Sequence, residues 1–312
     1  MIRLTFRQME YFEALAQVRH FGRAARIAGV TQPALSSQIA EMEDRLGTRL
    51  FERGARSVEL TPEGEDLRPR IEAILNQARE IEALARQEAA PMQGRFRLGI
   101  IPTVAPYLLP DLLPRLRQLY PGLSLELRET VTDVLLEETA LGKLDAAIVA
   151  TPVDQQGLET EMLFEDPFLL AISDAELGMT APPIAPQSPL LERLMLLEEG
   201  HCMRDQALAI CGQVKPAAIA NFGATSLTTL TQMVAHGLGV TLAPQIARDV
   251  MASIPGVHLV PFAGPPPSRT VTLVRRRGTA RHAECAALAD AIRDIAGSPD
   301  GQPPGDLRPH GG

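Results

Sequence analysis

The chain has 312 residues, with 30 lysines and arginines against 38 acids for a formal net charge of −8, and three cysteines. That length accommodates two or three domains, while the lack of a bilayer-length apolar run or a charged-then-apolar leader leads us to expect a soluble cytosolic protein whose thiols are kept reduced. The acidity argues against nucleic-acid contact along the whole chain, yet residues 1–60 carry nine arginines against seven acids and leave a net of −10 to the remainder, so a basic module is joined to an acidic body.

The basic end reads as a helix-turn-helix. Thr5 and Gln8 fit a capping box before a first helix with Met9, Phe12 and Ala16 inward. A short second helix follows from about Phe21 through Ala24, Ala25 and Ala28, and Gly29 supplies the turn. Thr31 then caps a third helix that tolerates Pro33 in its first turn. Leu35, Ile39, Met42 and Leu46 give this helix one apolar stripe, and Pro33, Ser37 and Ala40 point away from it. The face expected to enter the major groove comprises Thr31, Gln32, Pro33, Ser36, Ser37 and Gln38. It lacks arginine, lysine and asparagine, so Gln32 and Gln38 are its candidates for bidentate base contact, with much of the specificity left to DNA shape and to several half-sites bound together. The same stripe would also serve a plain three-helix bundle. Residues 49–61 alternate turn and strand types in the manner of a wing, with Arg49, Arg53 and Arg56 spaced to meet phosphate or the minor groove.

From Glu63 to about Ala90, Leu67, Ile71, Ile74, Ala78, Ile81 and Ala85 keep alternating spacings of four and three, the period of a helix that pairs with a second copy or packs on its own body. Beyond Gly94 the pattern alternates strand and helix: a strand at Phe96–Ile100, a helix at Ala105–Tyr120, then Leu123–Leu127, Thr132–Leu141 and Ala146–Val149. A second set opens at Pro167 and runs through Ala217–Phe222, a helix at Ser226–His236, and strands at Val240–Leu242 and Val257–Val260. Arg269–Arg277 and a helix at Ala280–Ile295 close the body. Such a chain builds an α/β body with a largely parallel sheet and two lobes, and Pro102-Thr103 and Thr225-Ser226, each between a strand and a helix, face the cleft. The expected domains are 1–62 and a linker helix 63–92, then one lobe from 93–166 with 269–297 and another from 167–268. A glycine- and proline-rich tail, 298–312, is expected to be disordered.

The segment from Gly200 to Cys211 holds two of the three cysteines. Gly200 followed by a helix-compatible run puts Cys202 at a helix start beside His201, Arg204 and Asp205, where a thiol's pKa falls. On an intact helix Cys202 and Cys211 would lie about 13.5 Å apart, whereas a disulfide needs Cα atoms within about 7 Å. Pairing would therefore require the helix to break, making the segment a candidate redox switch, although two inert buried thiols satisfy the same pattern. Arg204 and Asp205 also fit a surface ion pair, and Cys285, on a helix with Leu288, Ala289, Ile292 and Ile295, reads as core.

Several residues together resemble the N-terminal module of LysR-type transcriptional regulators: Ala24-Ala25, the run Thr31 to Ile39, Glu43, Leu46-Gly47, Leu50 to Arg53 and Leu60 to Gly64. The resemblance implies an all-α winged helix-turn-helix domain, a long linker helix and a two-lobed, periplasmic-binding-protein-like α/β regulatory body. Three further stretches, Ile101 to Pro110, the cysteine segment and Ala224 to Leu227, are similar to the peroxide-sensing members of that family. This likeness implies that Cys202 is the peroxide-reacting cysteine and Cys211 the resolving one. It also implies a pocket formed by Thr103, His201, Asp205 and Arg276 with Thr132 and Thr225. Implied partners are double-stranded promoter DNA, RNA polymerase, a cellular dithiol reductant, and further copies of the chain as linker-paired dimers and tetramers. No cofactor, metal, membrane contact or enzymatic turnover is implied. The proline-rich residues 174–193, Gly223 and the run Arg275-Arg276-Arg277 depart from the pattern. The alternatives are a LysR-type regulator holding a small carboxylate near Thr103 and Ser226 with inert cysteines, and a thiol peroxidase using Cys202.

Overall fold

The computed structural model describes residues 4–53, 58–85, 92–179, 182–185, 187–210 and 224–297. The chain divides into two compact units, Met1–Ala89 with Ala140–Lys143, and Ala90–Thr139 with Leu144–Gly312. Among the described residues no helix is long and apolar enough to cross a membrane.

The first unit contains helices α1 (Phe6–Val18), α2 (Phe21–Ile27) and α3 (Gln32–Leu46), a hairpin of β1 (Phe51–Arg53) and β2 (Val58–Leu60), and the long helix α4 (Pro62–Ala85). Its helix starts follow local chemistry. The Gln8 amide N–H donates to Thr5 Oγ1 and the Thr5 N–H to Gln8 Oε1, both at 3.2 Å, completing the capping box. Thr31 Oγ1 accepts from the Ala34 N–H at the start of α3, and Gly29 turns between α2 and α3 at a φ of 65°. Phe12, Leu15, Leu35, Ile39, Met42 and Leu50 form a fully buried core, with the Phe12 and Phe51 rings 5.2 Å apart.

Leu46 does not complete the stripe of α3: it is exposed, and Glu43 is buried instead. The chain reverses here into the wing, whose Leu50 and Phe51 N–H groups both donate to Glu43 Oε1, at 2.8 and 3.1 Å. Two backbone donors thus draw the Glu43 carboxylate inward beside Met42, at a position outside the expected apolar stripe. The apolar series of α4 is also divided. Ile71 and Leu75 join the core with the partly buried Leu67, whereas Ile74 and Ile81 are exposed.

The second unit begins with β3 (Gly94–Ile100), α5 (Ala105–Leu119), β4 (Leu123–Glu129), α6 (Thr132–Ala140) and β5 (Ala146–Val149). It continues through β6 (Leu158–Ser173), α7 (Asp174–Met179), α8 (Cys202–Ile210), α9 (Leu227–Ala235), β7 (Thr241–Pro244), α10 (Arg248–Ala252), β8 (Val257–Val260), β9 (Ser268–Arg276) and α11 (His282–Ala296). The sheet order is β4-β3-β5-β9-β6-β7, with β8 also on β6. Among the described strands of this sheet, only β3, β4 and β5 run parallel to one another, and the other strand pairs are antiparallel. The sheet is therefore mixed rather than largely parallel.

The cause is β6. Its 16 residues pair with β9 over Leu158–Pro167, then with β7 and β8 over Phe168–Ser173. One strand thus serves both halves of the sheet, and the expected start at Pro167 falls at its midpoint. Leu170, Ile172, Leu191, Leu230 and Leu242 lie in the core of the half carrying α8. Residues Ala217–Phe222, Cys211 and the tail 298–312 fall outside the described residues.

Gly64, in the first turn of α4, is required by close approach: a Cβ there would lie 2.3 Å from the Leu50 carbonyl oxygen. Replacement by alanine is expected to lower the unfolding free energy by about 1–3 kcal/mol through overpacking against backbone. Urea denaturation of Gly64→Ala beside wild type measures this, and an unchanged midpoint would contradict it.

Candidate functional site

On the DNA-facing candidate, Thr31, Gln32, Pro33 and Ser37 are exposed at the start of α3, and Ser36 and Gln38 are half-buried. The Gln38 amide donates to Glu41 Oε2 at 3.0 Å, so this candidate base-reading group is engaged along its own helix. Arg49 is exposed, with its carbonyl accepting from Thr61 Oγ1. Arg53 ends β1, and nothing is described of its side chain; Arg56 lies outside the described residues.

In the second unit, the turn after β3, the start of α6 and the start of α8 converge on a small pocket. Ile101, Pro102, Thr103, Val131, Thr132, Gly200, His201 and Cys202 line it. Gly200, at a φ of 93°, turns the chain into α8 so that Cys202 is the first residue of that helix. Thr103, Thr132, His201 and Cys202 are all buried. The Thr132 hydroxyl completes no hydrogen bond of ordinary geometry within the chain, although it lies close enough to the Cys202 thiol to favour its thiolate. A buried hydroxyl without a partner suits a small polar guest.

A buried cation supports the Thr103 side of this pocket. Arg269, at the start of β9, donates from Nη1 to Thr103 Oγ1 at 2.9 Å and from Nη2 to the Thr103 carbonyl at 3.1 Å. Its Nε and Nη2 meet Asp166 Oδ2 of β6 at 2.9 and 2.8 Å, and its guanidinium lies over the Phe168 ring. Because the Thr103 hydroxyl accepts from Arg269, its own hydrogen remains available to donate.

Electrostatically, burial dominates at Cys202 and pushes the thiol above its ordinary pKa. The Arg269 charge, the Thr132 hydroxyl and the Met203 backbone N–H pull in the opposite direction, and the Asp205 carboxylate adds to the rise. The lowered pKa expected from the neighbouring sequence is therefore not found: the helix start is present, but desolvation outweighs it.

The other expected site residues are placed differently. Arg276 lies seven residues along β9 from Arg269, about 23 Å of strand. It donates to the Thr139 and Leu144 carbonyls. Arg275 and Arg277 pair with Glu159. The arginine that bonds Thr103 behind the pocket is Arg269, not a member of the 275–277 run. Asp205 and Thr225 are exposed and do not line the pocket. Arg204 donates to the Leu197 carbonyl. Unforeseen in the sequence, Gln206 of α8 donates to the Ala150 carbonyl beyond β5 at 2.6 Å, linking this helix to the other half of the sheet. Cys285 is fully buried in α11, as its spacing predicts.

Two family models account for most of the chain: "Bacterial regulatory helix-turn-helix protein, lysR family" matches residues 6–65 and "LysR substrate binding domain" matches residues 89–297. The chain belongs to the LysR family of bacterial regulators. Its relatives there include the "Hydrogen peroxide-inducible genes activator" of Dickeya chrysanthemi, 39% identical over 291 residues, 93% of this chain and 95% of that protein. The "DNA-binding transcriptional dual regulator OxyR" of Escherichia coli K12 is also 39% identical, with 93% and 95% covered. Among solved structures, a full-length cysteine-to-aspartate variant of Pseudomonas aeruginosa OxyR superposes with a TM-score of 0.78 at 35% identity, covering 93% of this chain and 98% of that one. A hydrogen peroxide-bound cysteine-to-serine variant of Corynebacterium glutamicum OxyR gives 0.62 at 32% identity, with 95% and 94% covered.

Two outcomes follow from the thiol environments. Because the folded Cys202 pKa is raised, its thiolate is scarce at neutral pH, and alkylation by iodoacetamide should accelerate by roughly tenfold per pH unit up to that pKa. Arg269→Met should slow it further at each pH below the plateau; a wild-type rate that plateaus below the ordinary thiol pKa would contradict this. Burial pushes the Cys285 pKa up to about 12 from 9.0. Its burial therefore contributes stability that is present below the unfolded value and lost as pH rises through the interval to the folded one. Between about pH 8 and about pH 10, the wild type should lose about 1.4 kcal/mol more unfolding free energy than Cys285→Ala. Urea titrations of both proteins at the two pH values measure the difference.

Proposed function

We propose that this chain is a DNA-binding transcription regulator that senses hydrogen peroxide through Cys202 and forms a reversible disulfide between Cys202 and Cys211. The observation that carries this reading is the placement of a buried thiol beside the buried Thr132 and Thr103 hydroxyls, with Arg269 bonded behind Thr103. The peroxide names of the relatives support it.

In the proposed reaction the Cys202 thiolate attacks one peroxide oxygen, an S–O bond forms and the O–O bond breaks. The departing oxygen takes a proton and leaves as water; sulfur is oxidised to sulfenic acid and peroxide is reduced. Thr103 and His201 are assigned to donate toward the oxygen on which charge develops, and Thr132 to hold the guest. The Cys211 thiol then displaces the sulfenic oxygen as a second water, leaving the disulfide. For this to happen α8 must unwind, since a disulfide does not span nine positions of an intact helix. A cellular dithiol returns the pair to thiols.

Thr31, which caps α3, and Gln32, Pro33, Ser36, Ser37 and Gln38 of its first turns, together with Arg49, Arg53 and Arg56, are assigned to promoter DNA. Residues 1–62 form the DNA-binding domain, 63–92 pair two copies, 93–166 with 269–297 and 167–268 are the two regulatory lobes, and 298–312 a tail. Pairs of dimers assemble on DNA as a tetramer and engage RNA polymerase in the cytoplasm.

The test exposes reduced full-length protein to slightly more than one equivalent of peroxide, maps peptides without reductant, and footprints promoter DNA in both redox states. The expected result is a crosslink between Cys202 and Cys211, absent in Cys202→Ser, with a changed footprint. A missing crosslink favours a small-carboxylate effector, and identical footprints would sink the coupling of disulfide to DNA. Rapid peroxide turnover with a reductant, independent of DNA, would make the chain a thiol peroxidase.

A further inference from the structure

Resting on the peroxide reading of the same pocket, we propose that Asp166 is a positioning residue for Cys202, holding Arg269 in the one orientation that bonds Thr103 and brings a positive charge to the thiol's side of the fold. Asp166 is 1% exposed and its two carboxylate oxygens are divided between two tasks. Oδ2 takes both Nε and Nη2 of Arg269, and Oδ1 accepts the Ile246 N–H at 2.9 Å, just beyond β7. The carboxylate thus fixes one edge of the guanidinium while being itself fixed by backbone from the other half of the sheet.

That edge determines what remains. A guanidinium has five N–H donors. Asp166 takes two, the Thr103 carbonyl a third and the Thr103 hydroxyl a fourth. With Phe168 under its face, the group has no second orientation that satisfies both Thr103 contacts and the ion pair. The chain of consequence runs from Asp166 to Arg269 to Thr103: an anchored guanidinium occupies one lone pair of the Thr103 hydroxyl and fixes its oxygen, leaving the hydroxyl hydrogen free to be donated to a guest. Asp166 itself does not line the pocket, so its effect on the reaction passes through Arg269.

The experiment compares reduced full-length wild type, Asp166→Asn, Arg269→Met and the double variant, by the pH profile of Cys202 alkylation with iodoacetamide and by the rate of Cys202 oxidation with hydrogen peroxide. Asp166→Asn should move the alkylation midpoint upward by about one pH unit and slow oxidation by on the order of tenfold to a hundredfold. In the Arg269→Met background the same substitution should add nothing. A folded Asp166→Asn with wild-type profile and rate overturns the proposal, as does an effect that persists undiminished without Arg269. Should Asp166→Asn fail to fold, Asp166→Glu, which keeps the charge and displaces the oxygens by one methylene, is read in the same way: an unchanged profile overturns it. Alkylation reads the thiol without peroxide. A wild-type Cys202 that shows this dependence on Asp166 yet resists peroxide would overturn the sensing function while leaving the hold of Asp166 on the thiol in place.

Discussion

The buried ion pair between Arg269 and Asp166 ties β6 and β9 to Thr103 on the turn after β3 and to the backbone beyond β7. Both side chains are withdrawn from water, and removing two charges from solvent costs several kcal/mol per ion unless geometry and extra hydrogen bonds offset it. Here the offset is complete on the acidic side, where Oδ1 and Oδ2 are both bonded, and nearly so on the basic side, where Thr103 takes what Asp166 does not. The pair stands where β6 and β9 part company: Asp166 and Arg269 are register partners in the last stretch these strands share. A feature that contributes little net stability therefore determines geometry at the point where one half of the sheet gives way to the other.

Burial gives the reactive thiol a dual character. The same withdrawal from water that forms the pocket also pushes the Cys202 thiol above its ordinary pKa, and Arg269, Thr132 and the Met203 backbone N–H offset only part of that effect. A thiol of this kind is a poor nucleophile toward indiscriminate electrophiles. Selectivity then comes from the guest: a small molecule that occupies the pocket and satisfies Thr103 and Thr132 meets the thiol under conditions that bulk solvent does not reproduce.

The first unit was largely legible in the sequence because its determinants are local. Capping pairs such as Thr5 with Gln8, the turn glycine Gly29 and the spacing of Leu35, Ile39 and Met42 act within a few residues. Legibility failed where a distant segment intervened. The wing's two N–H groups placed Glu43 inside and left Leu46 outside, and the core of the helical unit claimed Leu75 from α4. In the body, the strand expected from Pro167 begins nine residues earlier, because the first half of β6, Leu158 to Asp166, carries four acids that mask its strand character. Pairing with the arginine-rich β9 gives those acids partners and makes the strand continuous. Arg269 is hard to read from the sequence for a related reason. The resemblance points to Arg276 in the 275–277 run, whereas the useful signal is alternation: Arg269, Val271 and Leu273 share the inward face of β9, and a lone arginine on a buried face must have a partner.

The contact beneath Gly64 has a mechanical meaning. Thr61 caps the first turn of α4 while bonding the Arg49 carbonyl, Gly64 admits the helix against the Leu50 backbone, and Arg79 pairs with Glu13 of α1 two turns beyond Ile71. With anchors at these points, α4 neither slides nor swivels against the helices and wing it adjoins. It behaves as the shaft of a crank whose arm is α3. A rotation of the shaft is carried through these contacts into the helical core that holds α3, and so bears on the placement of Gln32 and Ser37.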